Sequence, residues 1–273
     1  MSSLMPTKRD YSPNRLPDKK GLLDWLLPFV SSSVGGKITV AVTGLGLTGF
    51  VVVHLIGNLK LFAGRDAINS YAEFLKSWGV VLWIARFGLL LFFLLHIATA
   101  VRLRKRAREA RPIPYQRPAT IQATLASRTM LATGVAILVF VLFHLAHYTF
   151  GWLATTTATE LGTGAKVTAN YLSLVDASGR HDVYSMVVAG FRNPLIGLLY
   201  IVGQIALLTH LSHGISSTFQ TLGLNAPRFQ PTVKIVGYGL AAAIAFGNSL
   251  IVVAVWVGWI PIFETYVAAG MRS

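Results

Sequence analysis

Five long apolar stretches set the pattern of this chain: residues 38–62, 79–101, 129–153, 194–219 and 233–262, separated by segments rich in charge, glycine, proline and hydroxyl side chains. Each approaches or exceeds the roughly 20 residues an α-helix needs to cross a hydrocarbon core. The pattern predicts an all-α integral membrane protein, a five-transmembrane-helix bundle, with one membrane domain over 36–273. Residues 1–35 are expected as a polar tail containing GLLDWLLPFV (21–30), which is apolar but too short to span. That segment is expected as a short helix in the membrane interface, a flexible linker being the alternative. The first apolar stretch starts too late, runs too long and lacks a small-residue cleavage site, so a removed signal peptide is not expected. The connection over 154–192, rich in Thr, Gly, Ala and Ser, is expected as a loop carrying a surface helix at VYSMVVAGF.

Composition agrees with the membrane assignment, since 53% of residues are hydrophobic and 12% charged. The net charge of +14 raises nucleic acid as a partner, but its distribution points to membrane orientation. Lys8, Arg9, Arg15, Lys19 and Lys20 precede the first span, and RLRKRAREARPIPYQR (102–117) joins the second to the third. The connections on the opposite side mix Arg65, Lys76, Lys166 and Arg180 with Asp66, Glu73, Glu160, Asp176 and Asp182. Lys and Arg accumulate on the cytoplasmic side of spanning helices, so the N-terminus is expected in the cytoplasm and the C-terminus outside. Cysteine is absent, which excludes thiolate metal sites, iron–sulphur ligation by this chain and covalent haem attachment.

Histidine therefore carries the candidate chemistry. Of seven, six lie in apolar stretches: His54, His96, His144, His147, His210 and His213. An imidazole in the bilayer is costly enough to need a partner or a function. Each lies toward the C-terminal end of its helix, and successive helices run in opposite directions. His54 and the His144/His147 pair then share an outer level, about 9–14 Å from the helix ends at 1.5 Å per residue, and His96 shares an inner level with His210/His213. Opposed imidazoles between packed helices suit the axial positions of a six-coordinate haem b, and two levels imply two haems. Gly44, Gly46 and Gly49 before His54 leave room for a flat macrocycle or, alternatively, for close helix packing. The pair His181–Asp182, in the outer connection, is expected to be solvated.

The stretches KITVAVTGLGLTGFVVVHLIGNLKLFAG, SRTMLATGVAILVFVLFHLAHYTFG and GFRNPLIGLLYIVGQIALLTHLSHGISSTFQTLG resemble the five-helix dihaem cytochrome b anchors of bacterial succinate:quinone oxidoreductases, the succinate dehydrogenases and fumarate reductases. The resemblance spans most of the chain. It implies axial ligands at His54, His96, His144 and His210, with His213, Ser216 and Ser217 in support and no ligand on the fifth helix. His147 shares the face of His144 and stands as the alternative ligand there. Some family members carry a glutamate two residues before the fourth-helix ligand, where this chain has Leu208, so a proton path through that carboxylate is not carried over.

The resemblance further implies two non-covalent haem b groups, a quinone (menaquinone being the usual partner of dihaem anchors), and two partner subunits. These are a flavoprotein with FAD and the dicarboxylate site, and an iron–sulphur protein docked on the cytoplasmic face. Electrons would pass between the iron–sulphur protein and quinone by way of the inner and then the outer haem, in the bacterial cytoplasmic membrane. No succinate-oxidising residues are expected in this chain. Arg86, Arg128 and Arg192 stand where they either pair haem propionates or snorkel to the headgroups. Glu73 is the carboxylate nearest the outer level and is either a proton partner of quinone or an ordinary interfacial glutamate. Two other classes stay open: the anchor of a different quinone-linked oxidoreductase, and a cofactor-free transporter, which would call for broken helices or inverted repeats.

Overall fold

The structure, a computed structural model, describes residues 21–110, 113, 124–153 and 155–268. Five helices are long and apolar enough to cross a membrane: α2 (Ser33–Asn58), α4 (Val80–Glu109), α5 (Leu125–His144), α7 (Pro194–Thr221) and α8 (Gln230–Trp256). Three shorter helices accompany them: α1 (Leu22–Ser31), α3 (Arg65–Ser77) and α6 (Val183–Arg192). Local chemistry sets these boundaries. Ser32, in extended backbone, separates α1 from α2 and accepts a hydrogen bond from the Gly35 amide at 2.9 Å. Asn193 caps α7 through the amides of Leu195 and Ile196, with Pro194 at the first helical position, where its missing N–H costs nothing.

Several boundaries differ from the hydropathy pattern. α2 starts five residues before 38, and α4 carries the basic run RLRKRARE on as helix to Glu109. The fifth span stops at Trp256 instead of 262, because Gly258 turns the chain at φ 75°. α1 forms as expected, and the junction after it is tied to the basic end of α4. Arg102 and Arg106 donate to the carbonyls of Val30 and Ser31 at 2.6 and 2.5 Å. Residues 1–20 lie outside the described residues.

The larger departure is at the other end of the bundle. The connection expected as a loop folds into strands β1 (Thr155–Glu160), β2 (Lys166–Asn170) and β3 (Leu174–Val175), joined by β4 (Tyr266–Val267) from the C-terminal segment in the order β2-β1-β4-β3. β1 pairs antiparallel with β2 and parallel with β4. The fold is thus a helical membrane bundle with a small β-sheet cap, not purely α. The helix over VYSMVVAGF is not a surface helix either. Tyr184, Met186, Val188 and Phe191 of α6 are buried, Met186 in a core with Ala158, Ala169, Leu174 and Val267 of the sheet and the other three against Tyr200 and Val252 of the bundle. Mixed Thr/Ala strands hide from a hydropathy reading because their burial alternates with a period of two.

In the bundle, α2 packs on α4, α5 on α7 and α2 on α7, whereas α4 and α5 stand apart along the fourth side; α8 covers α7 and α2. Glycine permits the closest approaches. A Cβ at Gly203 of α7 would lie 2.5 Å from the Phe140 ring of α5, and one at Gly197 would lie 2.6 Å from the Trp256 ring of α8. Small residues at such crossings are the usual means of bringing helices together in lipid. The arrangement leaves α2 diagonal to α5 and α4 diagonal to α7, which positions the histidines.

Candidate functional site

Across the α2–α5 diagonal, the imidazoles of His54 and His144 face each other with ring centres 5.8 Å apart and planes at 90°. Across the α4–α7 diagonal, His96 and His210 stand 6.5 Å apart at 66°. The first pair lies toward the sheet cap and the second toward the N-terminal tail. His96 contacts Thr43, and His54 follows Thr43 by eleven residues on the same helix, which sets the two pairs about 16 Å apart along the bundle. Among the described residues no group of three or more His, Cys, Asp or Glu side chains forms a metal cage; the imidazoles come in opposed pairs.

Three of the four rings are anchored at Nδ1. Thr43 Oγ1 lies 3.2 Å from His96 Nδ1 and donates its own proton to the Thr39 carbonyl at 2.6 Å. Thr133 Oγ1 lies 3.2 Å from His210 Nδ1 and donates to the Thr129 carbonyl at 3.1 Å. With each hydroxyl proton on its backbone carbonyl, the hydroxyl oxygen is free to accept from Nδ1–H, the arrangement that leaves Nε2 with a free lone pair. An outer hydrogen bond at one nitrogen that orients the other is the common arrangement of metal-binding histidine. His144 Nδ1 is 3.2 Å from the Tyr200 hydroxyl. His54 has Phe50 stacked on it at 5.5 Å, as Phe140 lies beside His144 at 6.1 Å.

These similarities belong to a repeat. Thr-Gly, nine residues, then His-Leu occurs at Thr43–Leu55 on α2 and again at Thr133–Leu145 on α5. Each threonine holds the histidine of the next long helix, and the glycine after it admits that imidazole. A Cβ at Gly44 would meet His96 Cε1 at 3.1 Å, and one at Gly134 would meet His210 Cε1 at 3.5 Å. The α2–α4 and α5–α7 pairs are thus equivalent halves about an axis along the bundle, and each histidine pair straddles that axis. Thr43, Thr133 and Tyr200 escaped the sequence reading; the repeated Thr-Gly-x9-His was the signal that could have found the threonines.

His147 does not join the opposed pair. Beyond His144 the chain forms a single π-turn, Leu145–Thr149, closed by the Phe150 amide on the Leu145 carbonyl at 2.8 Å. His147 is fully buried against Tyr148, Tyr171 and Tyr200. Its Nδ1 meets the same Tyr200 hydroxyl at 3.0 Å, and its Nε2 has no partner among the described residues. His213 lies half-buried one turn beyond His210.

Other expected residues scatter. Ser216 is buried, bonded to the Ser212 carbonyl at 3.4 Å and set against Gly237 of α8, away from the histidine diagonal. Ser217 lines an open groove of about 270 Å³ with Val34, Lys37, Ile38, Gln220 and Thr221 at the tail end. Arg86 reaches the level of the cap-side pair, exposed, with its guanidinium 4.9 Å from the centre of the Trp83 ring. Arg128, at the start of α5, and Glu73, on α3, are exposed.

The His181–Asp182 expectation is overturned, because Asp182 is fully buried. It accepts hydrogen bonds from Arg65, from Asn69 at 3.0 Å and from the Ser185 amide at 3.2 Å. Asp176 beside it is held by Arg180 Nε at 2.9 Å and Asn69 at 3.2 Å, and Arg180 also reaches Asp66 at 2.7 Å. The network clamps α3 to α6 and the sheet. Burial pushes both carboxyls up, but the hydrogen bonds outweigh it and hold them below the usual carboxylate range, those from Arg65, Ser185 and Asn69 for Asp182 and those from Arg180 and Asn69 for Asp176. Burial, and then the charge of Lys76, keeps the His181 imidazole below its ordinary value.

No family model, curated protein or solved structure matches this chain.

Proposed function

We propose that this chain is the membrane-anchor and electron-transfer subunit of a succinate:quinone oxidoreductase, holding two non-covalent haem b groups between His54 and His144 and between His96 and His210. The observation that carries the reading is the spacing of the opposed imidazoles. A metal–imidazole bond of about 2 Å on each side, with about 1 Å more from each nitrogen to its ring centre, puts two axial imidazoles of one iron roughly 6 Å apart. The separations of 5.8 and 6.5 Å bracket that figure.

Space supports the same group. Protein interiors are close-packed, yet His54 is exposed although it faces the bundle diagonal and α4 and α5 are not in close contact; of the three glycines before His54, Gly44 and Gly46 are taken up by His96 and Phe92, and Gly49 alone faces open space. Haem held there would supply one-electron transfer, and the two histidine pairs that would hold it lie about 16 Å apart along the bundle axis. What the chain contributes is neutral imidazole at four fixed positions, a dry sheath, and charge at its ends. Arg86, at the cap-side level, is available to a propionate.

Sidedness follows from the same charge distribution. At the tail end the described residues include Arg102, Arg104, Lys105, Arg106 and Arg108, against Asp24 and Glu109. At the cap end Asp66, Glu73, Glu160, Asp176, Asp182 and Glu264 are offset by Lys60, Arg65, Lys76, Lys166, Arg180 and Arg192, so that end carries no excess of positive charge. In this reading the tail end is cytoplasmic, in a bacterial plasma membrane, and its basic surface receives the iron–sulphur protein with the FAD-bearing flavoprotein. His96/His210 is then the inner site and His54/His144 the outer one. Quinone, by resemblance menaquinone, exchanges electrons at the cap side with Glu73 as its proton partner.

A pyridine haemochrome assay on the purified chain tests the reading: two haem b per polypeptide are expected, and none, or one, overturns it. Gentle purification through a tag on this chain should also recover a covalent flavoprotein and an iron–sulphur protein. Their consistent absence counts against the oxidoreductase assignment while leaving the haem count to stand by itself.

A further inference from the structure

We propose that Tyr200 and His147 form a hydrogen-bonded relay behind His144 that tunes the cap-side haem without touching it, an inference that rests on the dihaem reading above. Tyr200 has one hydroxyl proton and two imidazole neighbours, His144 Nδ1 at 3.2 Å and His147 Nδ1 at 3.0 Å. For Nε2 of His144 to face an iron, its Nδ1 carries the proton and donates to the tyrosine oxygen. The tyrosine proton then goes to Nδ1 of His147. That places the His147 proton on Nε2, the buried ring nitrogen of this group that has no partner among the described residues.

The arrangement is costly and one-sided, which argues for a role beyond packing. A fully buried imidazole with an orphaned N–H is destabilising, and a phenylalanine at that place in the Phe143–Tyr148–Tyr171 cluster would fill it without that cost. In the repeat, His147 corresponds to Gly57 on α2, and Tyr200, ten residues before His210, corresponds to Arg86, ten residues before His96. The relay therefore exists behind His144 and has no counterpart behind His54. The tail-side pair is different again, since both of its imidazoles set Nδ1 against threonine hydroxyls that donate to backbone carbonyls.

The physical effect has a definite sign. Drawing the Nδ1 proton of an axial imidazole toward an acceptor makes Nε2 more electron-rich, and a chain of such bonds strengthens each member. A richer ligand favours ferric over ferrous iron, so the relay lowers the potential of the haem bound by His144. The π-turn assists, because it brings His144 and His147 to one hydroxyl.

The test is potentiometric, on detergent-solubilised chain with its partners where they co-purify, read by optical titration and by low-temperature EPR of the low-spin ferric signals. Tyr200→Phe is expected to cost about a tenfold preference for the ferric state at one haem, an upward shift of about 59 mV for a one-electron couple, with a moved g value for that haem and none for the other. Thr133→Val is expected to move the other haem. His147→Leu should shift the same haem as Tyr200→Phe, in the same direction and by less. His147→Asn, whose amide oxygen can accept the tyrosine proton, should restore the wild-type value. If Tyr200→Phe loses haem altogether, the Leu–Asn comparison at 147 decides. Two haems bound with both potentials unmoved in Tyr200→Phe and His147→Leu, or an Asn variant that behaves as Leu, overturns the relay alone. A wild-type chain without haem overturns the relay together with the reading beneath it.

Discussion

Gly44 of α2 lies against His96 of α4 so closely that a methyl group there would come within 3.1 Å of the imidazole Cε1. The ring is confined between that glycine and the Thr43 hydroxyl, and the helix crossing is what aims it at His210. On the proposed dihaem reading, Gly44→Val should therefore push His96 off the diagonal and release the tail-side haem while the cap-side haem stays. Gly134→Ala, where the corresponding gap is 3.5 Å, should keep both. The haem-to-protein ratio of the two purified variants, with low-temperature α-band spectra, checks this; equal haem content in Gly44→Val and wild type would contradict it.

Thr43 and Thr133 contact the same histidine pair from opposite helices, so in the proposed reading their loss should be felt at one haem. Removing an outer hydrogen-bond partner of a metal-binding histidine costs about 10–100-fold in affinity. Thr43→Val and Thr133→Val are each expected to weaken retention of the tail-side haem in that range, measured as haem loss to apomyoglobin. Thr→Ser at either position should retain wild-type behaviour, because the hydroxyl can still accept from Nδ1–H.

The clamp at the cap end makes a separate prediction about stability. Asp182 is fully buried and paired with Arg65, and removing one partner of a buried ion pair typically costs about 3–5 kcal/mol. Asp182→Ala should loosen the contact of α3 with α6 and the sheet, seen as faster amide hydrogen exchange across Arg65–Ser77 and Val183–Arg192 with the spanning helices unchanged. Uniform protection in the variant would show that the network is dispensable.

The same carboxylates give the cap an acid limit. Asp176 and Asp182 are held below the ordinary Asp value of about 3.9. A group whose folded value lies below its unfolded one contributes its full stability above the unfolded value and loses it as the pH falls through the folded value. The cap should therefore be intact at neutral pH and loosen only on acidification below about pH 4. Limited proteolysis of the 154–192 connection across a pH series, with an acid-active protease, reads this directly. Loosening between pH 8 and 6 would point to other groups.

The spanning helices were legible because lipid demands long apolar runs, and the histidine levels followed from helix direction and rise alone. His54, His96, His144 and His210 do face one another in the order that reasoning gave. What hydropathy could not show was the cap. β1 and β2 read as polar because every second residue faces out, and Asp182 read as solvated because its partners, Arg65 and Asn69, lie more than a hundred residues away on α3. The supporting role of Ser216 came from the resemblance alone, and its hydroxyl lies against Gly237 of α8 and the Ser212 carbonyl. The Thr-Gly-x9-His repeat was present in the sequence but spans two helices that do not adjoin in the chain, so a search for short-period repeats passes over it.

The diagonal arrangement gives the sharpest test of the whole site. His54→Ala deletes one side of the cap-side pair, and His210→Ala one side of the tail-side pair, so the two variants should lose different haems. His213 cannot take over from His210, because it lies about 4.5 Å farther along the helix axis. If the proposed assignment holds, with the tail side cytoplasmic, His210→Ala should also abolish electron flow from succinate to quinone, because the haem that remained would be a full level farther from the iron–sulphur protein. Reduction of a soluble acceptor by succinate should survive in both variants so long as the subunits assemble. Low-temperature spectra, EPR and the two activities together decide the matter. If both variants lose the same haem signal in an assembled complex, the pairing across α2–α5 and α4–α7 is wrong, and the halves defined by the repeat do not share their cofactors across the bundle axis.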